Sequence, residues 1–97
     1  MRRFQFHPEA LEEADHAASF YSSKQAGLDR RFLETLEDTI ARIRRNPTLY
    51  RKVDEGIRKC RLPRFPYAVI FRDTSDSIEI IAVMHLKRQP GYWESRT

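Results

Sequence analysis

The sequence predicts an α+β fold of order β-α-α-β-β-β: one twisted antiparallel sheet with two helices packed on one face, forming a single domain over residues 1–97. Three observations predict it. Two successive stretches repeat apolar residues at helical spacing, three short apolar or alternating runs bounded by turn residues follow them, and a short alternating run precedes them. The length suits one hydrophobic core and no second.

RFQFH opens the chain, with Phe4 and Phe6 alternating against Arg3, Gln5 and His7, the period of a half-buried strand. Pro8 suits a first helical turn, and Glu9, Glu12 and Glu13 lie where the helix dipole favours anions. Leu11, Ala14, Ala18 and Tyr21 mark one face, which Ala10, Ala17 and Phe20 widen, and the polar SSKQAG stretch ends the helix at Gly27. A second helix starts at about Leu28, with Phe32, Leu36, Ile40 and Ile43 on one face and Leu33 broadening it. Arg42, Arg44 and Arg45 oppose the negative dipole end, and Asn46-Pro47 stops it.

The stretch NPTLYRKVDEG reads as a loop. IRKCRL then places Cys60 and Leu62 on one face and Lys59 and Arg61 on the other. FPYAVIF and SIEIIAVMH are apolar on both faces, with DTSD as the turn between them. Three consecutive strands with short connections predict an antiparallel meander to which the first strand adds. Helices on one face leave the other open and concave, with Lys59 and Arg61 pointing to it and HLKRQPGYW at its rim.

Composition narrows the function classes. Apolar residues make up 40% and charged residues 33%, a globular balance. The lone Cys60 requires no oxidising compartment, and no leader or membrane-length apolar run stands out, so a cytoplasmic setting is expected. Lys and Arg against Asp and Glu number 3 to 4 over residues 1–27, 7 to 6 over 28–56, and 8 to 4 over 57–97. The whole excess of +4 therefore lies in the C-terminal part, which suits a polyanion or an acidic protein partner there.

Metal chemistry has no support, because His7, His16 and His85 are scattered and no paired ligand motif exists. No flanked nucleophilic serine and no phosphate-cradling glycine loop occurs, and no cofactor is expected. What remains is a basic and aromatic set: Lys59, Arg61, Arg64, Tyr67, His85, Lys87, Arg88, Tyr92 and Trp93. Such a set can hold phosphates by charge and stack on bases. It can also cleave RNA without a metal, with Arg64 stabilising the phosphate and His85 or Tyr92 as the acid. No clear general base accompanies them, since Glu55 lies in a loop. Each also has a structural alternative: Arg64 as a turn residue, Tyr67 as core, His85 as a satisfied strand-end histidine, Trp93 as a plug packing the tail onto the sheet.

The order FHPEALEEADHAASFY, RFLETLEDTIARIRRNP, IRKCRL, RFPYAVIFR and IIAVMHLKRQPGYW resembles the RelE/ParE superfamily of toxins from bacterial type II toxin-antitoxin (plasmid stabilisation) modules. The resemblance spans nearly the whole chain. It implies the same fold, a cytoplasmic growth-inhibiting toxin, and neutralisation by a small acidic antitoxin within a toxin-antitoxin hetero-oligomer. The target divides within the superfamily. RelE-like members cleave messenger RNA on the ribosome, and ParE-like members poison DNA gyrase. Arg64 in RFPYAV matches a RelE phosphate-holding arginine, Arg88 a second basic position, and Tyr92 stands for the C-terminal tyrosine with altered spacing. His85 followed by Leu-Lys-Arg resembles the ParE ending, which favours gyrase over ribosome-bound messenger RNA. Arg64, His85, Arg88 and Tyr92 form the expected catalytic centre if the chain is a ribonuclease, and Lys59, Arg61, Lys87 and Trp93 the RNA- or partner-binding surround. A non-toxic RNA-binding module is the third reading.

Overall fold

In the computed structural model, which describes residues 2–97, the chain forms β1 (Arg3–Phe6), α1 (Pro8–Lys24), α2 (Leu28–Arg45), β2 (Arg51–Asp54), β3 (Ile57–Arg61), β4 (Tyr67–Asp73) and β5 (Ser77–His85). A 3-10 turn at Pro47–Leu49 follows α2, and another at Glu94–Arg96 closes the chain.

His7 caps α1, its Nδ1 accepting the Glu9 N–H at 3.1 Å, while Pro8 occupies a first-turn position that needs no donor. Gly27, at φ +85°, turns the chain sharply into α2, so the helices lie as an antiparallel pair. Ala10, Ala14 and Ala17 face inward on α1, as do Phe32, Leu36, Ile40 and Ile43 on α2. The small alanines let α1 approach the sheet closely. The bulkier Leu11, expected on the buried face of α1, and Phe20 and Leu33, expected to widen the buried stripes, stand 50%, 52% and 37% exposed instead.

The sheet order is β1-β5-β4-β3-β2. The β3-β4-β5 meander forms as the sequence predicts, but two features differ. Arg51–Asp54, within the stretch read as a loop, pairs antiparallel with β3 from Arg51 opposite Lys59 to Asp54 opposite Ile57. β1 runs parallel to β5, with Phe4 opposite Ile78 and Phe6 opposite Ile80, so the sheet is mixed rather than all antiparallel. The second difference follows from the first. The helix pair returns the chain to its starting end, and three further strands would leave the last antiparallel to β1. The fourth strand reverses that parity. β2 escaped notice because RKVD has one apolar residue and four positions, too few to display a period.

Two apolar layers result. On the helix side Cys60, Leu62, Val69, Phe71, Ile78, Ile80 and Val83 pack against the α1 and α2 faces. On the far side Ile57, Ala68, Ile70, Ile81, Ala82 and Met84 pack with Trp93 from the tail. A bulge serves both layers: Ile70 opposes Ala82 and Phe71 opposes Ile80, so the extra Ile81 joins Ala82 on the tail side while Ile80 and Val83 face the helices. The far face is thus not an open concavity throughout; the tail covers part of it. The 5% exposure of Trp93 identifies it as the plug.

Candidate interaction site

The tail after β5 reaches Trp93 through two turns. His85 Nδ1 accepts the Lys87 N–H at 3.0 Å, and Gly91 adopts φ +82°, a left-handed conformation that an L residue enters at a cost. Beyond it, Glu13 of α1 ties the tail to β5. Its Oε1 accepts the Val83 N–H at 3.0 Å and the Arg96 guanidinium at 2.9 Å; its Oε2 accepts the Tyr92 hydroxyl at 2.6 Å and Arg96 Nη2 at 3.1 Å. Arg96 also donates to the Ile81 carbonyl at 3.1 Å and pairs with Glu9 at 3.3 Å. The physical need is plain. β1 ends at Phe6 opposite Ile80, so the Ile81 carbonyl and Val83 N–H lie beyond its reach and require other partners.

This latch fixes the electrostatics of the tail. Burial pushes the Tyr92 phenol far above its usual range, and the hydrogen bond to the Glu13 carboxylate pushes it further. Hydrogen bonding to Glu13 raises Arg96 as well. Arg88 lies over the Tyr92 ring, its guanidinium 3.8 Å from the centroid. Tyr92 therefore has its hydroxyl committed and its ring covered.

Two depressions flank Arg88. One, of about 380 Å³ between α1 and the end of β5, is lined by Glu13, His16, Phe20, Tyr21, Tyr67, His85 and Arg88, among others. Tyr67 and His85, directly opposite across β4 and β5, meet edge to face at 5.0 Å. Tyr67 continues into a cluster with Tyr21, Phe32 and Phe65, and burial raises both its phenol and that of Tyr21. The other depression, about 430 Å³ on the far face, brings Arg51, Lys52, Lys59 and Arg88 around Ile70, Met84 and Trp93, with Asp54 and Glu94 also in its lining.

The structure thus brings His85 and Arg88 together in one depression, and Lys59, Arg88 and Trp93 together in the other. Arg61 shares the far face with Lys59, and Lys87 is exposed in the turn beyond β5. Arg64 lines neither depression. It lies exposed in the β3–β4 connection at φ +69°, and among the described residues it alone enters the left-handed region without being glycine. Phe65, next to it, packs edge-on against both Tyr21 and Phe32, which holds the turn in place. Sequence reading missed His16, Glu13 and Arg96. Glu13 reads as one of several acids near the N-terminal end of α1, and only the fold shows that it meets residues seventy or more positions away.

A third surface is apolar. Phe4, Phe6, Leu11, Leu33, Leu36 and Ile40 line a groove of about 410 Å³ between α1, α2 and β1, with Asp15, Glu37 and Arg44 at its margins. Its exposed Phe4, Leu11 and Leu33 form the kind of contiguous patch that marks an interaction surface.

The sequence model of the ParE toxin of type II toxin-antitoxin systems, parDE, matches residues 4–90. The chain belongs to the ParE toxin family. This ParE-family chain also shares its fold with a solved chain of a chromosomal ParDE toxin-antitoxin system from P. aeruginosa, with a TM-score of 0.65 and 16% identity, covering 88% of this chain and 96% of the other. No curated protein sequence matches. Family membership gives a toxin with an antitoxin for a partner. Tyr92, Trp93 and Arg96, the tail side of the Glu13 latch, lie beyond the matched residues. Among the described residues no helix is long and apolar enough to cross a membrane, and no group of three His, Cys, Asp or Glu side chains is placed to hold a metal ion.

Proposed function

We propose that this ParE-family toxin arrests growth by binding DNA gyrase, and that its antitoxin neutralises it by laying an amphipathic segment into the apolar groove between α1, α2 and β1. The observation that carries the gyrase reading is the state of Tyr92. A general acid must present a proton to the reacting atom, and this hydroxyl is spent on Glu13, with a phenol pushed well above its usual range. Arg64 does not line the His85 and Arg88 depression, which also favours a binding role over a metal-free cleavage centre of Arg64, His85, Arg88 and Tyr92.

A binding toxin needs none of those alignments. Under this reading Lys59, Arg61, Lys87 and Arg88 are contact residues and Trp93 is their support. The test is a supercoiling and cleavage-complex assay with purified gyrase and purified toxin. Inhibition together with trapped DNA breaks is expected; unchanged supercoiling and cleavage at saturating toxin would defeat the proposal.

One observation favours the ribonuclease reading in its place: His85 and Arg88 share a depression with the Tyr21 and Tyr67 rings. Mapping of messenger RNA 3′ ends in a purified translation reaction decides it. New ends in the ribosomal A site that disappear with His85→Ala would make the toxin a ribosome-dependent endoribonuclease.

A further inference from the structure

On the sheet face turned away from the helices, the cations at the His85 end of the meander outnumber the acids and form no ion pair with them. Arg51 stands directly opposite Lys59 across β2 and β3, and Arg61 follows on the same face opposite Ala68. Like charges directly opposite one another in a ladder destabilise it. Among the described residues no carboxylate lies within ion-pair distance of Arg51, Lys52, Lys59, Arg61 or Arg88, whereas Arg72, on the same face at the other end of β4, pairs with Glu79 at 3.6 Å. Two acids, Asp54 and Glu94, also line the groove, against the four cations Arg51, Lys52, Lys59 and Arg88, so the lining keeps a net positive charge. The fold maintains a cationic row without ion pairs beside a groove of about 430 Å³.

The same face offers nothing for a base to stack on. Trp93 is 5% exposed, the Tyr92 ring is capped by Arg88 at 3.8 Å, and Tyr67 turns to the helix-side aromatic cluster. Single-strand binders combine a basic groove with free aromatic platforms, whereas contacts to a duplex backbone need only cations. We infer that Arg51, Lys59, Arg61 and Arg88 form a contact surface for the phosphate backbone of double-stranded DNA. The inference deepens the gyrase reading, on which its biological setting rests: the target is the enzyme with its DNA duplex in place, and the toxin touches both.

The test is binding of the full chain to a fluorescein-labelled duplex of random sequence, followed by anisotropy between 50 and 200 mM salt. Four phosphate contacts at 0.9 each give a log–log salt slope of about −3.6. The double variant Arg51→Gln/Lys59→Gln should bind roughly tenfold more weakly at the low-salt end and lose about 2 units of slope. Arg45→Gln, on the exposed end of α2, should leave both unchanged, and thermal melts confirm that all variants fold. Absence of duplex binding by the wild-type chain at 50 mM salt, or an unaltered slope in the double variant, overturns the inference. So does tighter binding of a single-stranded RNA of equal length with the same loss of slope, which would make the groove a single-strand site. Gyrase assays run in parallel separate the two claims. Salt-dependent duplex binding without gyrase inhibition would fail the gyrase reading and keep the surface, and gyrase inhibition without duplex binding would do the reverse.

Discussion

Replacing Glu13 with alanine would remove the acceptor for four donors at once: the Val83 N–H, the Tyr92 hydroxyl and two guanidinium nitrogens of Arg96. Arg96 and Glu13 side chains are 9% and 17% exposed, so water cannot readily replace what is lost. Breaking a buried ion pair from one side costs about 3–5 kcal/mol, and an orphaned backbone N–H about 1–3 kcal/mol. Arg96 keeps the Ile81 carbonyl and Glu9, and the tail can relax outward, which brings the expected net loss to about 3 kcal/mol. Against a total of about 5–15 kcal/mol for a domain of this size, that is a drop in Tm of roughly 12 °C or more. Trp93 is the single tryptophan, so its emission reports the seating of the tail directly. Circular dichroism melts combined with Trp93 fluorescence form the assay. Glu13→Ala should lower Tm and redden the emission below the transition, and Glu13→Ala/Arg96→Ala should cost much less than the two single losses added. A Tm within about 2 °C of wild type with unshifted emission would refute the latch as a source of stability.

Tyr92, Tyr21 and Tyr67 all have phenols raised by burial, so the unfolded chain releases these protons first as pH rises above the ordinary tyrosine range. Stability should therefore fall from about pH 10 upward, by at most about 1.4 kcal/mol per pH unit for each group; urea titrations should show a shallower fall for Tyr92→Phe, and equal slopes would remove Tyr92 from the linkage. Burial also raises the Cys60 thiol, so a thiol reagent should modify native protein at least about 100-fold more slowly than denatured protein, and rapid native labelling would contradict its place in the core. Arg64 occupies φ +69°, which costs an L residue about 1–2 kcal/mol, so Arg64→Gly should leave stability unchanged or raise it by up to about 1 kcal/mol in chemical denaturation. A loss of that size would instead show that the arginine side chain anchors the turn.

Helix spacing, Pro8, Gly27 and Asn46-Pro47 placed both helices, and the alternation in IRKCRL set Cys60 and Leu62 toward them and Lys59 and Arg61 away. These are local matters: a period or a stop signal is written in neighbouring residues. The strand RKVD was too short and too polar to carry a period, and missing it reversed the expected direction of β1 against β5, because strand parity counts every element in between. The C-terminal stretch shows the same division. That HLKRQPGYW carries cations and aromatics at the end of a buried strand is legible from its residues alone. Tertiary structure alone decided that Trp93 plugs the far layer and that Tyr92 is bound to Glu13, a residue 79 positions earlier. It also decided that Arg51 and Lys59 face each other without an acid between them. Residue chemistry is local, but whether a hydroxyl is free to act or a charge is left uncompensated depends on what the fold brings beside it.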